Sequence, residues 1–151
     1  MVAAHSEMAV RSTSHAIDPS AMSSSATSIG WGGRVTLVGG TTGTSGGGVV
    51  FTGSGTVHAD GAGFGDGGLV QVGAFGTDNN LSLPSISVNG GESGSGGTVQ
   101  AFAGNNLTVA GAIHADAGQS GDGFGGFIDL TARREFQGGA GTYSQTGSLS
   151  A

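Results

Sequence analysis

The chain has 151 residues, among them 34 glycines, 2 prolines and no cysteine, and its four basic residues, all arginine, face ten acids for a net charge of −6. Collagen is excluded because glycine does not recur every third residue, and the lack of cysteine excludes disulfides, thiolate metal sites and cysteine nucleophiles. Nucleic acid and anionic membrane are poor partners because a phosphate-binding surface needs clustered cations, and no run of about 18 apolar residues exists to span a bilayer.

Residues 1–28 contain no glycine and are rich in serine and alanine, with His5, Glu7, Arg11, His15 and Asp18 scattered among them. A short helix around Ala3 to Val10 would lack a cap, so composition predicts a frayed or poorly ordered leader up to a boundary at Ile29. The basic start and apolar core of a signal peptide are missing, which puts any export signal outside these residues. From residue 29 to 151 the text changes to strand, glycine loop, strand. Charged residues make up only 9% of the chain and β-branched and apolar residues alternate, which argues for order. Glycine inside a regular element is unfavourable by about 0.5–1 kcal/mol against alanine, so most of the glycines belong in turns.

Gly33 to Val38 reads as the second strand of an early repeat and Val49-Val50-Phe51 as the next strand. Three phrases then recur: Val57-His58-Ala59-Asp60, Ile86-Ser87-Val88-Asn89 and Ile113-His114-Ala115-Asp116. Each runs through a glycine loop into a second strand, opening at Leu69, Thr98 and Phe127, 29 residues apart each time. A third strand follows at Asn79 to Leu83 and again at Asn105 to Val109. A fixed period of this size marks a solenoid. Within the strands Val57, Ala59, Val70, Val72, Leu81 and Leu83 point one way, and His58, Gln71 and Ser82 the other. Leu69 and Phe127 fall on outward positions. The spacing predicts an all-β parallel β-helix with three short strands per coil of about 26–29 residues, each inward side chain stacked on its equivalents about 4.8 Å away. The period breaks between Ile113 and Leu149, with an insertion expected around Arg133-Arg134-Glu135-Phe136-Gln137-Gly138-Gly139. Gly147 to Ala151 reads as the start of another coil, so the segment is expected to be a fragment of a longer solenoid.

The phrases from Gly55 to Val72 and from Gly111 to Leu130 resemble the glycine-rich repeats of bacterial filamentous haemagglutinin-type exoproteins, the two-partner-secreted adhesins and their large β-strand-repeat relatives. The match covers residues 29 to 151. The resemblance implies a right-handed β-helix within a shaft on the surface of a Gram-negative cell. It also implies an extracellular location, a structural and adhesive role without catalysis, and a glycan or protein receptor on a host or neighbouring cell. Neither Pro19 nor Pro84 sits in the Asn-Pro-Asn type motif of that family's secretion domain, so this stretch corresponds to shaft.

Asp60, Asn89 and Asp116 share one position in successive coils and should form a ladder at a strand-to-turn junction, where short polar side chains bond their own backbone. The neutral Asn89 keeps the two carboxylates apart. His58 and His114 should stand about 10 Å apart with Ser87 between them, too far for one metal ion. Gly63 to Gly68 and Gly121 to Gly126, with Asp66 and Asp122, resemble the turns of calcium-binding β-rolls without their nine-residue period, and this leaves a calcium-stabilised roll as an alternative. A carbohydrate-active β-helix enzyme is the other alternative. It would need Glu92 and Asp60 or Asp116 as a carboxyl pair in a walled cleft, which a glycine-rich edge does not supply. Arg133-Arg134 reads as a solvated loop. Trp31, Tyr143 and the phenylalanines are few, and Phe64, Phe124 and Phe127 are expected to pack over the coil edge rather than form a contact rim. No catalytic, cofactor-binding or metal-binding residue is assigned, and no cofactor is expected.

Overall fold

The computed structural model describes residues 7–12, 15–17, 23, 25, 29–40, 49–52, 54–133 and 141–151. These residues form strands and loops and no helix. In chain order the strands are β1 (Glu7–Ser12), β2 (His15–Ile17), β3 (Arg34–Gly40), β4 (Val49–Phe51), β5 (Thr56–His58), β6 (Leu69–Phe75) and β7 (Leu81–Leu83). There follow β8 (Ser85–Ser87), β9 (Thr98–Ala103), β10 (Leu107–Val109), β11 (Ile113–His114), β12 (Phe127–Ala132), β13 (Tyr143–Gln145) and β14 (Leu149–Ser150).

Every paired strand runs parallel to its neighbour. The long strands make a five-stranded sheet in the order β1-β3-β6-β9-β12, and the short ones make sheets β14-β11-β8-β5, β13-β10-β7 and β2-β4. Registers follow the 29-residue spacing: Leu69 pairs with Thr98 and Thr98 with Phe127, while Val70, Val99 and Ile128 lie in one row. Ile86 pairs with Val57 on one side and Ile113 on the other, and Leu107 with Leu81 and Tyr143. Despite the 36-residue gap, Ile113 pairs with Leu149 and His114 with Ser150. The insertion to which that gap is ascribed falls mostly on residues 134–140, outside the described residues.

Alternation fixes this register. A slip of one residue would turn each inward side chain outward, and the inward set is fully buried: Val35 and Leu37 on β3, Val70 on β6, Val99 on β9, Val57, Ile86 and Ile113 on the four-stranded sheet, Leu83, Leu107 and Val109 on the three-stranded one. They join in a single apolar cluster, on which the half-buried Ile128 and Leu130 of β12 also pack. Burying such a side chain contributes about 1.5–3 kcal/mol, so the rows of small aliphatics are the main source of cohesion.

Residues 1–28, read from composition as a leader, contribute β1, which extends the five-stranded sheet with Met8 opposite Val35 and Val10 opposite Leu37. They also contribute β2 and a bridge from Ser23 to His58. Glu7-Met8-Ala9-Val10-Arg11 carries the same two-residue alternation as the later strands. Without flanking glycines it reads like any polar stretch, and pairing with β3 decides it.

Between the first and second strands of each repeat the chain leaves the sheets in a glycine loop. The loops are pinched at their necks by Gly68 N–H donating to Ala59 O, Gly97 to Val88 O and Gly126 to Ala115 O, each 2.7 Å. Loops in turn bond to loops: Gly67 N donates to Ser95 O and Gly96 N to Phe124 O, both at 2.8 Å. Glycine is required because backbone meets backbone. A Cβ built on Gly68, Gly97 or Gly126 would lie 2.0–2.1 Å from the carbonyl oxygen of Gly33, Gly68 or Gly97 in the preceding strand-turn.

Candidate functional site

Side-chain hydrogen bonds among the described residues occur at the strand-to-turn edges, on the outer face of the five-stranded sheet and on the loops. At the edge, Asp60, Asn89 and Asp116 do form the expected ladder, but its bonds differ from the expectation. Asp60 Oδ1 accepts the backbone N–H of Asn89 at 2.9 Å, and Asn89 Oδ1 accepts that of Asp116 at 2.9 Å. The series is extended on one side by Ser25 Oγ, which accepts Asp60 N–H at 2.9 Å, and on the other by Ser150 Oγ, which donates to Asp116 Oδ2 at 2.9 Å. The side chains therefore serve the backbone of the adjacent repeat rather than their own. In a parallel in-register stack an equivalent N–H lies one rung away, within reach of a two-bond side chain, and it would otherwise be an unpaired donor where the strand ends.

The device recurs at other turns. Asn80 Oδ1 accepts Asn106 N–H at 3.1 Å and Asn106 Oδ1 accepts Thr142 N–H at 3.0 Å. Asp66 Oδ1 accepts Ser95 N–H at 2.8 Å. Asp66, considered above as a calcium ligand, thus spends one oxygen on a turn. Among the described residues no three His, Cys, Asp or Glu groups come together as a metal site.

His58, Ser87 and His114 occupy one row, as the spacing predicts. Each histidine also pairs with the acid two residues on, His58 Nδ1 with Asp60 Oδ2 at 2.9 Å and His114 Nδ1 with Asp116 Oδ2 at 3.3 Å. The signal for these pairs was the repeated His-Ala-Asp, since positions i and i+2 of a strand face the same side. Ser87 is buried and donates its hydroxyl to Asp60 Oδ1, so the row is a hydrogen-bonded edge whose two imidazoles still face solvent, with side chains 45% and 43% exposed.

On the outer face of the long sheet, Thr36, Gln71, Gln100 and Asp129 stand in register. Arg34 Nη2 donates to Gln71 Oε1, and Gln71 Nε2 donates to Gln100 Oε1 at 2.7 Å. Beside this polar row the rings of Phe75 and Phe102 stack with centroids 5.0 Å apart and planes at 26°. The Phe75 ring lies over Gly73, where a Cβ would meet it at 2.5 Å. Together they line a shallow groove with Thr131. Sequence reading placed Gln71 outward but missed both the amide relay and the ring pair, because each joins residues of different repeats.

At the loop rim the expectation that Phe64 and Phe124 pack over the edge is overturned: they are 75% and 81% exposed. Phe127 and Trp31 are exposed as well. The cause lies in the loops themselves, whose interior is filled by backbone, so that a ring borne on the loop has only solvent to face. Glu92 sits in the middle loop, where its carbonyl oxygen accepts Ser120 N–H at 3.0 Å. Arg133 continues the β12 pairing by donating its N–H to Ala103 O at 2.9 Å; Arg134 and Glu135 lie outside the described residues. No family model, no curated protein and no solved structure matches this chain.

Proposed function

We propose that these residues form a segment of a right-handed parallel β-helix, three strands to the coil, acting as a structural and adhesive part of a secreted bacterial surface exoprotein. The coils are the spacer of an extracellular shaft, and the loops are its contact surface. The observation that carries this reading is that the same three-strand order, first strand, long strand, third strand, recurs through β5-β6-β7, β8-β9-β10 and β11-β12-β13, with each member paired in register to its equivalent. Further coils stacked on β12, β13 and β14 would cover Ile128 and Leu130, which are only partly buried where the equivalent Val70 and Val99, and Val72 and Ala101, are buried. Contact through the loops is supported by the exposed rings of Trp31, Phe64, Phe124 and Phe127, since solvent-facing aromatics supply large, rigid contact area to a glycan or protein receptor.

Architecture and role are tested separately. Because the chain has no cysteine, a Gln71→Cys/Gln100→Cys pair, one rung apart, should oxidise to an intramolecular disulfide. Gln71→Cys with Thr108→Cys, which places the second thiol in a different sheet, should not. Cross-linking of both pairs alike would refute the stack. Beads coated with the purified chain should adhere to host or neighbouring cells and lose that adherence with Phe64→Ser/Phe124→Ser, whereas adherence no greater than that of bare beads refutes the adhesive role.

A further inference from the structure

We infer that Asn89-Gly90 is a latent deamidation site, held silent by the parallel pairing around it, and that its conversion to isoaspartate ends the chain's ability to rebuild that pairing. It is the only Asn-Gly step in the sequence; Asn79 and Asn105 precede asparagine, and Asn80 and Asn106 precede leucine. The inference rests on hydrogen bonds at one edge and is independent of the adhesive role.

The chemistry needs only water. The backbone nitrogen of Gly90 gives up its proton and bonds to Cγ of Asn89, the Cγ–Nδ2 bond breaks, and the amide leaves as ammonia with that proton. Water then adds to one of the two imide carbonyls and opens the ring, giving aspartate or isoaspartate. A following glycine favours the attack because it carries no Cβ to obstruct the approach and leaves the backbone free to adopt the required turn.

In the folded chain each atom of that step is engaged. Gly90 N–H donates to Asp116 O at 2.9 Å, so the nucleophile is tied to the neighbouring strand-turn. Asn89 Oδ1 accepts Asp116 N–H at 2.9 Å and Asn89 Nδ2 donates to Ser87 Oγ at 3.2 Å, so the electrophile is held. The Asn89 main chain is anchored on its other side, its N–H by Asp60 Oδ1 at 2.9 Å and its carbonyl by Gly61 N–H at 2.8 Å. Reaction requires that several of these bonds open together, and a step that runs only through an opened state is slowed by the population of that state.

Isoaspartate is incompatible with the ladder, and aspartate weakens it. Isoaspartate adds a methylene to the main chain between the Asn89 N–H held by Asp60 and the Gly90 N–H held by Asp116 O, so the two bonds cannot both be kept. Aspartate keeps the main chain but puts a third carboxylate between those of Asp60 and Asp116, about 4.8 Å from each. Time spent unfolded is thus recorded at this residue as a loss of folding competence.

The test uses the whole chain at one pH and temperature, in buffer and in denaturant, with peptide mapping for the amide-to-acid mass change and isoaspartate detection. Asn89 should convert about a hundredfold more slowly in buffer, and in denaturant it should convert well ahead of Asn106. Chains aged in denaturant and returned to buffer should regain the sheet signal in the far-ultraviolet only in proportion to the fraction free of isoaspartate. Asn89→Ser keeps an acceptor but cannot form the imide, so it should recover after ageing as fully as before. Equal rates in buffer and denaturant, full recovery of chains that carry isoaspartate at residue 89, or loss of recovery in aged Asn89→Ser would each overturn the inference.

Discussion

Replacing Gly97 by alanine separates the structural account from general expectation, because the two predict opposite signs. Alanine in place of a flexible glycine ordinarily stabilises by about 0.4–1 kcal/mol through the unfolded chain, and Gly97 is not among the glycines with positive φ. Here the new Cβ would stand 2.1 Å from the carbonyl oxygen of Gly68, whereas real contacts stay above 3.0 Å. The backbones must part by about 0.9 Å, the difference between those two distances. That displacement acts directly on the Thr98 N–H to Gly68 O bond, now 2.8 Å, and takes it past the limit of a useful hydrogen bond, while it also disturbs the Gly97 N–H to Val88 O bond, now 2.7 Å. Overpacking costs about 1–3 kcal/mol and each orphaned backbone group about 1–3 kcal/mol. A net loss of about 3 kcal/mol is therefore a conservative expectation after the entropic gain. For a chain of this length that lowers Tm by about 6–12 °C, read by thermal melting of the far-ultraviolet sheet signal. Gly121→Ala is the control: a Cβ there meets nothing within 4 Å, but φ is +83°, so about 1–2 kcal/mol of left-handed strain is the whole effect. A Tm for Gly97→Ala equal to or above that of the unaltered chain would refute the backbone-contact argument.

Leu107→Ala, at a fully buried position, should cost about 2–5 kcal/mol in denaturant unfolding, while Phe124→Ala, at a ring that is 81% exposed, should stay within about 0.5 kcal/mol; similar values for the two would contradict the assigned core. Asp60→Ala removes the acceptor of Asn89 N–H and of the Ser87 hydroxyl and should cost about 1–3 kcal/mol. Asp60→Asn keeps an acceptor and should retain most of that stability, and a loss equal to that of alanine would show that charge rather than hydrogen bonding matters at this edge. Chelator and added calcium should leave the melting curve in place, since Asp66 is engaged with Ser95 N–H; a calcium-dependent rise in Tm would favour the β-roll alternative.

Much of the pairing was legible because it depends on two periodicities written in one dimension. Alternation in Val70-Gln71-Val72 and Thr98-Val99-Gln100-Ala101 sets which side chains face inward, and the 29-residue spacing sets which residues meet, since a slip of one position would expose every valine. The return from Ile113 to Leu149 could be found for the same reason: inward positions repeat even where the intervening length does not. The rest depended on contacts between repeats that no local pattern encodes. Glu7–Ser12 became a strand only by pairing with β3. Asp60 bonds the N–H of Asn89 rather than its own backbone because the neighbouring rung presents that donor, while the N–H of Gly61 is already engaged by Asn89 O. Phe64 and Phe124 face solvent because backbone from adjacent loops fills the space a ring would need. Sequence alone determined direction, register and the inward face, which are properties of a strand and its period, whereas the tertiary structure decided the partners of turn acceptors, the intolerance of the glycines and the exposure of the rings, which depend on what lies one rung away.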